Sequence, residues 1–306
     1  MSVNLTEIGW SSESGDLFGT WTDRSDVVNA DTAINVAQGL TVNTMNGNDI
    51  INSDSESEGI FLDDNSQLNT DQGDDLIFST GFVAIELGFN AVLDTAQGND
   101  TLSGDGFDGF FIRADAQINT GSGDDLISGT GFAIGVGSRG AIDTGKGNDT
   151  ISGIANGNDD FYGSTGIANF SGEINTGSGD DLILGKGEQI AIANGSGMID
   201  TGEGNDIIDG LTGGFSDPDG SGRINLGQGD DLIRGFGDHR GNIDGGRGND
   251  RAELGFDYDE TLITFGSTGS SSIDITFDSE TMSYTNIEVF DFNGQTFSLE
   301  SLQAMV

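Results

Sequence analysis

The chain has 306 residues, with 10 Lys plus Arg against 52 Asp plus Glu, a formal charge of −42, 52 Gly, one Pro, one His and no Cys. The missing cysteine excludes disulfides, thiolate metal sites and cysteine nucleophiles, and the charge argues against nucleic acid or an anionic membrane surface as partner. The longest apolar runs, such as GFVAIELGF (81–89), fall far short of the roughly 20 residues a membrane helix requires, so no membrane insertion is expected.

The chain opens with MSVNLTEIGW, which has no positive patch followed by an apolar stretch and so no Sec-type signal. VVNADTAINVAQGLTV (27–42) reads as short strands. Residues 1–41 are therefore expected to form an N-terminal cap and first strands, with Trp10, Phe18 or Trp21 over the open end.

From residue 42 to 254 the sequence repeats itself. Aligned on one Asp, the copies fall at Asp49, Asp75, Asp100, Asp125, Asp149, Asp181, Asp206, Asp231 and Asp250. INTGSGDDLISG (118–129) and IDTGKGNDTISG (142–153) are two of them. Seven residues before the Asp the chain is always aliphatic, from Val42 and Leu68 to Ile224 and Ile243. Two residues after it the chain is apolar again, from Ile51 and Ile77 to Ile233 and Ala252. A third apolar stretch follows, as in FVAIEL (82–87), FAIGV (132–136) and QIAIA (189–193). Each repeat thus reads as three strands of period 2 between glycine-rich turns, with no sustained 3.6-residue period. One repeat cannot bury its own apolar face, but stacked copies can. The expected fold is all-β, a parallel β-solenoid of about nine coils. At about 4.8 Å per coil it would be a rod of roughly 40 Å.

The corner of each coil is T-G-x-G-[DN]-D, and its last copy is Gly245-Gly246-Arg247-Gly248-Asn249-Asp250. This resembles the calcium-binding nonapeptide GGxGxDxUx (U aliphatic) of the RTX, or repeats-in-toxin, hemolysin-type proteins. The resemblance covers about residues 43–252. It implies a right-handed parallel β-helix or β-roll with Ca²⁺ held between the turns of successive coils. The family has tandem nonapeptides, two calcium turns per 18-residue coil. Here there is one such turn per coil of about 25 residues, so one calcium stack along one edge is expected. The family's Asp maps onto the nine aspartates named above. Backbone carbonyls near Gly47, Gly73, Gly98, Gly121, Gly123, Gly145, Gly147, Gly177, Gly179, Gly202, Gly204, Gly227, Gly229, Gly246 and Gly248 are expected to complete the sites. Physical chemistry points the same way: carbonyl and carboxylate oxygens suit a hard cation, and nine Asp stacked about 4.8 Å apart would repel without one.

Two flanking positions sharpen the pattern. Six residues before the Asp the chain alternates Asn69, Asp94, Asn119, Asp143, Asn175, Asp200, Asn225, Asp244. One residue before it the alternation is opposite: Asp74, Asn99, Asp124, Asn148, Asp180, Asn205, Asp230, Asn249. Each coil after the first carries one extra carboxylate, giving seventeen in all. Up to eight Ca²⁺ in the eight gaps would nearly match that charge.

Other features read more plainly. Thr44, Thr70, Thr95, Thr120, Thr144, Thr176 and Thr201, five before the Asp, are expected to support the turn rather than form an ice-binding face. Phe82, Phe107 and Phe132 are expected to stack as an aromatic core column rather than a sugar platform. GNDDFYG (157–163), in the 154–170 loop, and Asp217-Pro218-Asp219-Gly220, in the 211–223 loop, read as solvated loops, with extra cation sites as the alternative. His239, Lys146, Lys186 and eight Arg are unclustered, so no enzyme is expected.

Residues 255–306 thin in glycine and alternate, as in SIDITF (272–277) and IEVFDF (287–292), and should form a small β cap. The ending NGQTFSLESLQAMV (293–306) is similar to C-terminal segments of RTX proteins exported by type I secretion. Together these features predict a secreted or cell-surface calcium-binding structural or adhesive protein that folds outside the cell. Its implied partners are Ca²⁺, the type I secretion machinery, and either cell-surface polysaccharide or further copies of itself. A surface-layer or filament subunit and a β-helix enzyme on extracellular polysaccharide are the alternatives.

Overall fold

A computed structural model describes residues 23–157, 164–217, 220–260, 263–269 and 271–305. Residues 1–22 of the expected N-terminal cap, with Trp10, Phe18 and Trp21, most of the 157–163 segment, and Pro218 and Asp219 lie outside the described residues, while residues 23–41 of that cap are described and carry the first strands.

Three ladders of parallel strands run the length of a solenoid. The first joins Thr41–Asn43, Gln67–Asn69, Val92–Asp94, Gln117–Asn119, Ala141–Asp143, Glu173–Asn175, Met198–Asp200 and Arg223–Asn225, and ends in Asp238–Asp244. The second begins at Val27–Ala30 and Ile50–Asp54, runs through the first halves of Leu76–Leu87, Thr101–Ile112 and Leu126–Ser138, and continues to Arg251–Glu253. The third links Ile34–Val36 and Glu58–Leu62 to the second halves of those long strands, then to Thr165–Asn169, Ile190–Asn194 and Phe215–Asp217.

Equivalent residues sit directly above one another, so the core is a set of columns. Leu68, Leu93, Ile118, Ile142, Ile174 and Ile199 form one column, and Ile51, Ile77, Leu102, Ile127, Ile151 and Ile183 a second; all are fully buried. Ile60, Ile85, Phe110, Val136, Ile167 and Ile192 form a third. Each side chain at about 25 cal/mol per Å² of buried apolar surface stabilises its neighbours above and below, not itself.

The C-terminal region closes the rod. Glu280–Thr285 and Val289–Phe292 extend two of the ladders in parallel. Antiparallel partners then follow: Ile263–Gly269 on Ser272–Phe277, Ser272–Phe277 on Glu280–Thr285, and Gln295–Ser298 on Val289–Phe292. Reversing direction ends the stack, and the cap covers the last coil with rings: Phe256 stacks on Phe277 at 4.2 Å and meets Phe292 edge-on at 5.5 Å. A five-residue helix, Leu299–Gln303, was not expected from periodicity. It is one turn long, capped by the Ser298 side chain accepting from the Ser301 N–H and anchored by buried Leu302.

Candidate metal centre

The corner motif folds as its glycines require. The residue four before each Asp has positive φ, from Met45 (72°) and Asp71 (65°) to Gly227 (95°) and Gly246 (87°). The glycine two before it is also left-handed, as at Gly123 (133°) and Gly147 (126°). That second glycine has a further reason: a Cβ at Gly147 would overlap the carbonyl oxygen of Gly123 in the neighbouring coil. Main-chain bonds knit the turns together, with the Lys146 N–H donating to the Gly121 carbonyl at 2.9 Å and the Gly123 N–H to the Lys146 carbonyl at 2.8 Å.

Inside this corner the nine aspartates form one column, each at most 2% exposed. Each Oδ1 accepts the backbone N–H of the equivalent residue one coil back. Asp49 N–H donates to Asp75, Asp75 to Asp100, Asp100 to Asp125, Asp125 to Asp149, and so on to Asp231 donating to Asp250, at 2.7–2.9 Å. Asp26 extends the column at one end by donating to Asp49, and Glu288 accepts from Asp250 at the other.

The second oxygens are the anomaly. Oδ2 of Asp75, Asp100, Asp125, Asp149, Asp181, Asp206, Asp231 and Asp250 is buried without a hydrogen-bond partner. Asp49 differs, because its Oδ2 accepts from the Thr44 hydroxyl. Threonine hydroxyls lie beside Asp75, Asp100, Asp125, Asp149, Asp181 and Asp206 and act to lower their pKa values, but none meets hydrogen-bond geometry on Oδ2, so these oxygens keep much of the cost of lost hydration. Burial accordingly pushes Asp100, Asp181 and Asp231 up to about 7, and Asp49, Asp75, Asp149, Asp206 and Asp250 up to about 6. Asp125 is raised for the same reason.

The threonines lie where a supporting hydroxyl should. All seven are fully buried, and Thr120, Thr144, Thr176 and Thr201 each donate to the carbonyl of the next residue in their column at 2.7–3.3 Å.

The flanking carboxylates are not brought into this column. Asp74, Asp124, Asp180 and Asp230 are exposed. They and the alternating asparagines form an outer ladder that runs opposite to the inner one. Asn99 N–H donates to Asp74 Oδ1, Asp124 N–H to Asn99 Oδ1, Asn148 N–H to Asp124 Oδ1, and so on to Asn249 and Asp230, at 2.7–2.9 Å. Asp94, Asp143, Asp200 and Asp244, six before the Asp, form a third row. There Asn175 and Asn225 donate side-chain amides to Asp143 (3.3 Å) and Asp200 (3.0 Å). Among the described residues, no three His, Asp or Glu side chains converge where they could hold a metal ion by themselves. Sites drawn from the inner column therefore need main-chain oxygens. The carbonyls of Gly47, Gly73, Gly98, Gly123, Gly147, Gly179, Gly204 and Gly229 are turned along the stack, each against the equivalent glycine of the next coil. An anionic oxygen without a hydrogen and a column of carbonyls form a donor set suited to a hard cation.

Two expectations need correction. Phe82, Phe107 and Phe132 do stack, with ring centroids 4.8 and 5.6 Å apart, but on the surface: Phe82 is 58% exposed and Phe132 47%. The core starts two residues after the repeat Asp, so strict alternation points the seventh residue outward. Asp217 is not solvated: it is buried, and its carboxylate accepts from the Gly220 and Gly222 N–H groups at 3.0 and 2.9 Å. His239 is also buried, its Nδ1 3.2 Å from the Gly241 carbonyl.

No protein-family model matches the chain, and no curated protein matches it. Among solved structures it is similar to a hyperactive, Ca²⁺-dependent, β-helical antifreeze protein from an Antarctic bacterium, with 21% identity over 77% of this chain and 68% of that one, at a TM-score of 0.48.

Proposed function

We propose that the chain is a calcium-binding structural protein whose inner aspartate column holds a line of Ca²⁺ and whose solenoid forms only when the line is filled. The observation that carries this reading is the set of eight buried Oδ2 atoms without partners, in a column where every coil keeps the charge. Asn would accept the same backbone hydrogen bond, as it does at alternate coils of the outer row. A bound cation supplies what Asn would make unnecessary. Ligand that binds only the folded state stabilises it by RT ln(1 + [L]/Kd), about 2.7 kcal/mol per site at a hundredfold excess over Kd. In low calcium the acidic chain repels itself and stays open; in calcium-rich surroundings it folds.

The resemblance to RTX repeats and the C-terminal segment support an extracellular or cell-surface setting reached by type I secretion, with an adhesive or scaffolding role. Dialysis of the purified protein against buffered calcium, followed by metal analysis, tests the central part. The expected result is several Ca²⁺ per chain, up to about eight, not displaced by millimolar Mg²⁺. Less than one Ca²⁺ per folded chain would refute it. Fusing residues 255–306 to a passenger in a host with a type I exporter tests the secretion part separately.

A further inference from the structure

Phe82, Phe89, Phe132 and Phe170 are exposed, and all four gather outside the third ladder, in the coils of Asp75, Asp125 and Asp149. Phe107 stacks between Phe82 and Phe132. Beside these rings lies a hollow of about 430 Å³, walled by Phe82, Phe107, Phe111, Phe170 and Arg139. A contiguous exposed aromatic patch of this kind marks an interaction surface.

The register sets a second row beside the ring column. Leu87, Ile112, Ser138 and Asn169 pair across four successive coils. The residues that follow them, Gly88, Arg113, Arg139 and Phe170, therefore lie one above another. The Arg113, Arg139 and Phe170 N–H groups donate to the Leu87, Ile112 and Ser138 carbonyls at 2.9–3.0 Å and hold that row. Phe89 follows Gly88 directly, and Asp115 lies two residues after Arg113.

Charge singles this face out. The chain carries −42, so two copies repel over most of their surface. Here Arg113 is paired to Glu86. Arg139 and Asp115 are both exposed, and neither makes an ion pair among the described residues. The Arg139 guanidinium lies over the Phe111 and Phe170 rings, at 5.6 and 4.5 Å from their centroids, which leaves its N–H edge for a carboxylate.

The pattern is self-complementary. An antiparallel two-fold axis across this face keeps each row over itself and reverses the order of the coils. Set between the coils of Asp100 and Asp125, it brings Phe107 to the second copy's Phe132 and Phe89 to the second copy's Phe170. The same axis brings Asp115 to the second copy's Arg139, and each of these contacts occurs twice. We infer that this face joins two antiparallel copies of the chain into a dimer. The inference gives the scaffolding reading above a contact surface and rests on that reading only for its biological setting.

The test is sedimentation velocity of the calcium-saturated full-length chain from nanomolar to high micromolar concentration. The expected result is a monomer–dimer equilibrium that Phe132→Ser weakens by about tenfold. Arg139→Asp and Asp115→Arg should each leave monomers, because each sets like charges together twice. Mixed together, the two variants should recover a heterodimer, in which both contacts are again between opposite charges. Lys146→Gln, on the aspartate corner, should leave the equilibrium unchanged. Circular dichroism and the calcium midpoint of each variant are read in parallel. A wild-type chain that stays monomeric with a normal calcium response sinks this inference alone and leaves the face to another ligand. A lost calcium response sinks the function proposed above, and the dimer is then read on the folded chain without metal. A dimer that Arg139→Asp and Phe132→Ser leave intact would overturn the inference, as would folded single variants that fail to pair when mixed.

Discussion

Two ladders built on side-chain oxygens climb the same corner of the rod in opposite directions. Both use a side-chain oxygen to accept a backbone N–H of the adjacent coil, at the same 2.7–2.9 Å. The outer ladder alternates Asp with Asn; the inner is Asp at all nine positions. The outer row is exposed, so its charges are hydrated, and alternation separates them by about two coil rises, roughly 10 Å, near the Debye length of physiological salt. The inner row is buried and packs its charges at every coil, where repulsion and lost hydration are greatest. Hydrogen bonding accounts for the outer row and leaves one oxygen unexplained in eight of the nine inner carboxylates, Asp49 being the exception. On the reading proposed above, the inner charge serves a bound cation.

The largest effect should come from the turn that both ladders share. Gly147→Ala places a Cβ against the Gly123 carbonyl at φ 126°. Left-handed strain alone costs of order 1–3 kcal/mol, and the overlap adds to it, so the coil junction should open. A large fall in the calcium-loaded urea midpoint is expected, and an unchanged midpoint would show that the turn does not position the column.

Asp149→Asn separates the roles of oxygen and charge. The amide still accepts the Asp125 N–H, so the inner ladder stays intact. Calcium-loaded protein should lose at least one bound ion and melt at lower temperature. Metal-free protein at pH 7 should instead gain about 1–3 kcal/mol or fold more readily, because a buried charge has been removed. A change of the same sign in both conditions would break the comparison.

The pH dependence should reverse with metal. Folding raises these carboxyls from 3.8 to about 6 or 7, so the metal-free folded state binds more protons than the unfolded state between those values. Metal-free stability should therefore rise as pH falls from 8 toward 5, by linkage. With calcium bound, protons compete for the same oxygens, and Tm should fall over the same range. Scanning calorimetry of calcium-loaded protein over this range reads one slope, and the β signal that metal-free protein gains in circular dichroism as the pH is lowered reads the other.

The smallest effect belongs to the outer row. Asp124→Asn keeps an acceptor for the Asn148 N–H and removes only an exposed charge. Its stability should stay within about 0.5 kcal/mol of wild type, and its calcium content should not change.

The solenoid and its three ladders were legible in the sequence because every coil repeats the same inward aliphatics, as at Ile118, Ile142 and Ile174. The inner aspartates were legible for the same reason. The outer carboxylates were harder to place, because Asn99 and Asp124 differ from Asp125 only in which side of the chain they leave, a matter of turn φ at Gly123 rather than of composition. The exposure of Phe82 and Phe132 was present in the alternation starting from Ile77 and Ile127, but aromatic identity obscured it. Arg139 carried no signal: its partners Phe111 and Phe170 lie one coil below and one above, and only the stacking register brings them together.

Far-ultraviolet circular dichroism of chelator-stripped protein during a calcium titration, with magnesium as the control ion, addresses the inner column most directly. A cooperative rise from coil to β signal with calcium alone is the predicted result. A β-rich spectrum before any calcium is added, unchanged by the titration, would contradict the assignment of that charge to a structural cation.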